Sequence, residues 1–131
     1  MKKLIFAMLV SMFVVSFVPN TSAQTRTRVH FSAGTTGTTR SGTIYGFQYR
    51  DYVVGASAGQ KLTVSITGST ESTVFNIRTP DGSDMENGVE ASTFRGALPS
   101  TGDYVIRVMM MRYQARRRGS MSTYKLKISI K

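Results

Sequence analysis

Apolar and polar residues alternate at every second position in three stretches of the chain. The apolar sets are Leu62, Val64 and Ile66, then Tyr104, Ile106 and Val108, then Tyr124, Leu126, Ile128 and Ile130. Most of the residues between them are Thr, Ser, Lys or Arg. Because successive side chains of a strand point to opposite faces, each stretch is predicted to be a half-buried β-strand.

Shorter runs with β-branched and aromatic residues predict five further strands, in segments 26–31, 43–47, 50–56, 73–78 and 93–97. Turn-forming groups such as Pro80-Asp81-Gly82 and Asn87-Gly88 separate the runs. Segment 35–42, rich in Thr and Gly, has the composition of a loop. No helical period occurs after the N-terminal segment. About eight short strands at this spacing predict an all-β protein, a small antiparallel β-sandwich.

Two details of the strands carry expectations of their own. The polar face of the last strand is almost entirely lysine, which favours a solvent-facing strand at the edge of a sheet. In the Met109-Met110-Met111 run, Met110 shares the inward face with Val108 and is expected to be buried. Met109 and Met111 are expected to be less covered.

The N-terminal segment has the pattern of a secretory signal peptide. Lys2 and Lys3 precede an apolar run over 4–18, and Thr21-Ser22-Ala23 supplies small residues for cleavage. The run is shorter than the about 20 residues that a membrane span needs; an uncleaved anchor is the alternative. We therefore expect a signal peptide over 1–23 and a single domain over 24–131, periplasmic or secreted, without a stable membrane anchor after cleavage.

The charge of the chain is strongly positive, at +10. Segment 104–131 contains no Asp or Glu, and its basic residues are Arg107, Arg112, Arg116, Arg117, Arg118, Lys125, Lys127 and Lys131. Such an excess attracts acidic partners at long range. Because export makes nucleic acid an unsuitable partner, anionic glycans, lipopolysaccharide, acidic proteins and the membrane surface remain.

Few residues suit catalysis. The chain has no Cys and a single His, His30, which lies in a predicted strand. Asp81, Asp84 and Glu86 share a turn. A catalytic carboxylate pair or a Ca²⁺ site is one interpretation of this cluster, and a solvated acidic turn is the favoured one. We predict a protein that is not an enzyme and has no cofactor and no catalytic or metal-binding residues.

The strongest binding signal is the four-residue spacing of Arg112 and Arg116. In a strand both side chains point to one face, and in a helical turn they are about 40° apart, so either conformation directs both to one target. Guanidinium groups match carboxylates in shape and charge. Tyr113 adds an interface-type side chain beside them. The alternatives are a solvated basic hairpin, and an extended or helical conformation for this segment.

The sequence resembles two related groups of bacterial β-sandwich proteins. Segment 98–108, Leu-Pro-Ser-Thr-Gly-Asp-Tyr-Val-Ile-Arg-Val, resembles the closing motif of pre-peptidase C-terminal domains. A wider match is to the periplasmic inhibitors of g-type (goose-type) lysozyme, and it is strongest in the block over 98–117. Its other parts are Gly34 and segments 29–31, 41–42, 44–52, 59–61, 64–66 and 124–131. It covers most of the chain after the signal peptide, except 68–94.

The resemblance implies an inhibitor that places loops in the substrate cleft of a g-type lysozyme and caps its catalytic carboxylate. The resemblance implies that the lysozyme-binding positions are Arg112 and Arg116, Tyr49, and Thr101. Tyr113 is added as a candidate because an interface-type side chain lies next to Arg112 in the sequence. Two positions depart from the family pattern, since Thr101 replaces Ser and Phe47 replaces a residue that is often Tyr. The alternative function is a pre-peptidase-like module that binds anionic glycan or lipopolysaccharide in the envelope.

Overall fold

The computed structural model describes residues 24–31 and 35–131, so the predicted signal peptide lies outside the described residues. Eight strands and one short helix follow in chain order: β1 (Gln24–Arg28), β2 (Gly37–Tyr45), β3 (Tyr49–Ala56), β4 (Lys61–Gly68), β5 (Thr73–Arg78), β6 (Thr93–Ala97), β7 (Gly102–Met110), α1 (Arg112–Ala115) and β8 (Met121–Ile130). Within these ranges, no helix has the length and apolar character of a membrane span.

The strands form two four-stranded sheets, which confirms the predicted sandwich. The first sheet has the order β1-β3-β7-β5 and the second has the order β2-β8-β4-β6. Every pairing is antiparallel except that of β1 with β3, which is parallel. The exception arises because the chain leaves β1, crosses to the second sheet as β2, and returns beside β1 as β3.

Strand β2 corrects the expectation of a loop over 35–42. Its pairing with β8 runs from Gly37, opposite Ser129, to Tyr45, opposite Met121. As an edge strand of the second sheet, β2 needs few apolar residues, and only Ile44 is fully buried in it. The alternation that marks a half-buried strand is therefore absent from most of β2.

Strand β8 corrects a second expectation, because it lies in the interior of its sheet between β2 and β4. Its lysines do face solvent, as predicted, but they cover the outer surface of the sheet and not an edge. A row of charged side chains shows which face of a strand is exposed to solvent. It does not show whether the strand has a hydrogen-bonded neighbour on one edge or on both.

The core lies between the inner faces of the two sheets. Its fully buried side chains include Tyr104, Phe75, Ile44, Leu62, Ile77, Ile106, Leu126 and Ile128. Side-chain hydrogen bonds cross from one sheet to the other, among them Tyr52 Oη to Tyr124 Oη at 2.6 Å and Thr73 Oγ1 to Ser122 Oγ at 2.5 Å. The methionine prediction is confirmed, since Met110 is buried whereas its two neighbours are half-buried.

Candidate functional site

The segment after β7 folds into a single helical turn, α1. The Met111 carbonyl accepts the Ala115 N–H at 2.9 Å, and the Arg112 carbonyl accepts the Arg116 N–H at 3.0 Å. Of the two conformations left open by the sequence, the structure therefore adopts the helical one. Arg112 and Arg116 lie one turn apart on the same side of α1, with both side chains exposed.

Hydrogen bonds hold α1 to the sandwich. The Met111 N–H donates to the Ser72 carbonyl at 2.9 Å, and Ser72 Oγ donates to Tyr113 Oη at 2.7 Å. At the other end, Ser120 Oγ donates to the carbonyl of the buried Ala115 at 2.9 Å. The turn is thus tied to the frame at both ends, which limits the freedom of its exposed side chains.

No ion pair among the described residues involves the arginines of this segment. Among the residues that the structure describes, ion pairs join Arg26 and Arg107 to Asp51, and Arg28 to Asp103. None of these pairs involves Arg112, Arg116, Arg117 or Arg118, which are all exposed. Their hydrogen-bonding groups therefore remain available to an external anion.

The turn between β2 and β3 lies against α1. The Gly46 N–H donates to the Ser120 carbonyl at 3.0 Å, which links this turn to the start of β8. Tyr45 is 54% exposed and Phe47 is 65% exposed, and Tyr113 of α1 is 51% exposed. We call this surface, formed by Tyr45, Phe47, Arg112, Tyr113 and Arg116–Arg118, the α1 edge.

Tyr45 and Phe47 are binding candidates that the sequence analysis did not select. The signal was present, because Ile44 occupies the inward position of β2 and the next residue must then point outward. The large apolar ring of Phe47 in a tight turn has no strand partner to cover it. What could not be read from the sequence is that this turn lies beside α1.

Tyr49 is the first residue of β3, at the end of the first sheet where β7 finishes. Its side chain lies on the outer face, because Tyr52 and Val54 point into the core. The guanidinium carbon of Arg107 lies 3.8 Å from the centre of the Tyr49 ring, a cation–π contact. Hydrogen bonds to Asp51, at 2.8 and 2.9 Å, fix Arg107 there and raise the pKa of its guanidinium.

Thr101, which the resemblance groups with Arg112 and Arg116, lies at the opposite end of the molecule from that pair. It precedes Gly102, where β7 begins, whereas Arg112 follows Met110, where β7 ends. A strand of this length spans roughly 30 Å. Thr101 Oγ1 accepts the Ala58 N–H at 2.9 Å, which ties together two loops of that distant end.

The other residues considered for catalysis or metal binding do not form a site among the described residues. His30 is exposed and lies just after the end of β1, so it is not in a strand as the sequence predicted. The Asp81 carboxylate accepts hydrogen bonds from Thr79 and from the hydroxyl and amide of Ser83, and these lower its pKa to about 2. Within the described ranges, no three His, Cys, Asp or Glu side chains group as metal ligands. The acidic turn is therefore explained by its own hydrogen bonds.

The fold of this chain is similar to that of known proteins. Neither a scan against protein-family models nor a search of curated proteins finds a match. Solved structures do match, among them PliG of Aeromonas hydrophila, a periplasmic lysozyme inhibitor of g-type lysozyme. It is 32% identical with a TM-score of 0.71, over 83% of this chain and 98% of that one.

Two other inhibitors of g-type lysozyme match similarly. A mutant of Escherichia coli PliG is 31% identical, with a TM-score of 0.67, over 83% of this chain and 100% of that one. Salmonella Typhimurium PliG is 29% identical, with a TM-score of 0.67, over 82% of this chain and 98% of that one. A pre-peptidase C-terminal domain of a Bacillus anthracis collagenase is more distant, with 14% identity and a TM-score of 0.48. The chain belongs to the PliG family of periplasmic g-type lysozyme inhibitors, proteins that are not enzymes.

Proposed function

We propose that this protein inhibits g-type lysozyme and does so through the α1 edge. The observation that carries the proposal is the pair of exposed, unpaired guanidiniums of Arg112 and Arg116 on one side of an anchored helical turn. Membership of the PliG family supports the choice of target, because its characterised members are inhibitors of g-type lysozyme.

The chemistry of the pair suits a carboxylate in a cleft. Glycoside hydrolases that cut between sugars use a carboxylic acid flanking the bond. The Cβ atoms of residues one helical turn apart are about 5–6 Å from each other, close enough for both guanidiniums to reach one carboxylate. Charge-assisted hydrogen bonds from Arg112 and Arg116 would cap that group and exclude the substrate sugar.

The aromatic side chains of the α1 edge supply apolar contact area. Tyr, Phe and Arg are enriched at the centres of protein interfaces, where water is excluded. Tyr45 and Phe47 are exposed without covering, and the Ser72 hydrogen bond already orients the Tyr113 ring. Preordered rings lose little entropy on binding. Arg117 and Arg118 lie farther along the edge and act by attracting an acidic cleft at long range.

Tyr49 belongs to the proposed interface but lies outside the α1 edge, at the start of β3. Its position at the same end of the molecule allows contact with the rim of a bound enzyme, while Arg107 covers one face of its ring. Thr101 is not included, because the length of β7 separates it from α1.

The compartment follows from the same proposal. The PliG relatives are periplasmic, and segment 1–23 has the pattern of a cleavable signal peptide. We therefore place the inhibitor in the periplasm, or outside the cell, where it would shield peptidoglycan from lysozyme.

A turbidity assay on cell walls tests the function. The protein is expected to slow a goose-type lysozyme, with inhibition complete near one inhibitor per enzyme, and to leave a chicken-type enzyme active. Equal inhibition of both enzymes would indicate a nonspecific charge effect. Full goose-type activity at a several-fold molar excess of the protein would reject the proposal.

A further inference from the structure

The outer face of the second sheet carries a charge pattern that the inhibitor function does not use. Its exposed basic residues are Lys61, Arg95, Lys125, Lys127 and Lys131. The side chains between them on this face belong mainly to Thr and Ser, and no described carboxylate lies on these strand positions. The side chains of this face therefore carry hydroxyl groups and positive charges.

Two lysines of this face are held directly opposite each other. The N–H of Lys61 donates to the Lys131 carbonyl and the N–H of Lys131 donates to the Lys61 carbonyl, both at 3.0 Å. Such a hydrogen-bonded pair brings two like charges onto the same face, about 5.5 Å apart at Cα. Like charges directly opposite each other destabilise a sheet. A bound anion between Lys61 and Lys131 would offset that repulsion.

A third cation completes the cluster. Thr63 of β4 pairs with Ser129 of β8 on one side and with Arg95 of β6 on the other. Lys61, Thr63, Arg95, Ser129 and Lys131 together line a depression of about 150 Å³. None of the ion pairs among the described residues uses its three cations. Three positive charges and two hydroxyls around one depression match the needs of a phosphoryl group.

The depression continues into a larger groove. Thr63 and Ser129 also line a neighbouring cavity of about 540 Å³, together with Thr39, Ser65 and Lys127. That volume lies within the range of small-molecule sites. Its lining offers hydroxyl groups, which both donate and accept hydrogen bonds, as the hydroxyls of a sugar do.

We propose that this groove binds a sugar phosphate, with the phosphoryl group between Lys61, Arg95 and Lys131 and the sugar on the hydroxyls beside it. The site lies at the far end of β8 from α1, so it is separate from the α1 edge. Through it the protein can bind a phosphorylated envelope carbohydrate while its opposite end binds another protein.

Titration of the full chain with N-acetylglucosamine 1-phosphate, followed by NMR of the backbone amides, tests the site. Shifts are expected at the start of β4 and the end of β8. N-acetylglucosamine, which is neutral, and inorganic phosphate serve as separate probes, and each is expected to bind about tenfold more weakly than the sugar phosphate. Equal affinity for inorganic phosphate would overturn the sugar part of the proposal, and absence of binding at millimolar concentration would overturn all of it.

A matched pair of double variants separates this site from general charge. Lys61→Gln with Arg95→Gln is expected to weaken binding about tenfold or more, since both substitutions remove direct contacts. Lys125→Gln with Arg118→Gln removes the same net charge outside the groove and is expected to change affinity less than about twofold. Equal losses in both variants would mean a diffuse attraction and overturn the proposal. Lysozyme inhibition by the first variant is expected to stay at the wild-type level, which also reports that it is folded.

Discussion

The backbone N–H of Arg116 donates to the carbonyl of Arg112 at 3.0 Å, and the helical turn that this bond closes places both residues on the same side of α1. The turn that it closes is tied to β5 through Ser72 and to β8 through Ser120. Two cations that the sequence separates by four residues therefore form a single binding element on a stable frame.

Removal of the arginine pair should abolish inhibition without affecting the fold. Truncating one member of a buried, hydrogen-bonded charge pair costs about 2–5 kcal/mol of binding, or about 30-fold or more in affinity. We expect Arg112→Ala and Arg116→Ala each to raise the inhibition constant for goose-type lysozyme by at least this factor, and the double variant to lose inhibition. The measurement is inhibitor titration in the turbidity assay, with thermal unfolding to show that stability is retained.

Arg117→Ala with Arg118→Ala is the control for the pair, because it removes an equal charge from the same edge. It is expected to slow association and to reduce the dependence of the association rate on salt concentration, with little change in the dissociation rate. Dissociation that accelerates as much as in the Arg112 and Arg116 variants would contradict the division between clamp and steering residues.

Phe47 should matter for binding and not for stability. With 65% of its side chain exposed, its truncation to Ala removes little packing, so the free energy of unfolding should change by less than about 0.5 kcal/mol. Affinity for lysozyme should fall about tenfold or more if the ring is buried in the complex. Val89→Ala, at another exposed apolar residue away from α1, should alter neither property; an equal loss of affinity there would argue against the α1 edge.

Gly68 should be intolerant of a side chain. A Cβ at this position would collide with Thr73, a buried residue whose hydroxyl is bonded to Ser122. Because the β-branched Thr73 cannot easily move, Gly68→Ala is expected to lower the free energy of unfolding by about 1–3 kcal/mol. Gly37→Ala is the control, since its Cβ would meet only ordinary contacts. Chemical denaturation measures the stability of both variants. Equal free energies of unfolding would show that the Thr73 side chain moves to make room for the new methyl group.

Alkaline pH should unfold the protein through Tyr124. Burial, and then its hydrogen bond with Tyr52, raise the pKa of the Tyr124 phenol well above its ordinary value of 10.0. The stabilisation is complete below pH 10, where the phenol is neutral in both folded and unfolded chains. It is lost as pH rises from about 10 towards the raised pKa, because only the unfolded chain then ionises. Denaturation midpoints between pH 8 and 12 measure this loss of stability. The midpoint should fall less steeply with pH in Tyr124→Phe, and an identical dependence in that variant would show that another group is responsible.

The candidate site was partly readable from the sequence. Arg112 and Arg116 share a side in a strand or a helical turn, so their joint orientation did not require knowledge of the backbone. The neighbours of the pair did require it. Phe47 lies beside α1 because the Gly46 N–H reaches Ser120, a contact between segments far apart in the chain. Thr101, much closer to Arg112 in sequence than Phe47 is, lies roughly 30 Å away because an extended strand separates them.

Local patterns by themselves determined which segments are strands and which of their faces are buried, because the direction of a side chain depends only on the period of its own strand. The lysines of β8 and the buried Met110 were predicted on that basis. Only the tertiary structure decided that β8 is a central strand, that β2 forms from a loop-like sequence, and that Lys61 lies opposite Lys131. These facts depend on hydrogen bonds between distant segments, and the choice among such partners is made by the packing of the whole sandwich.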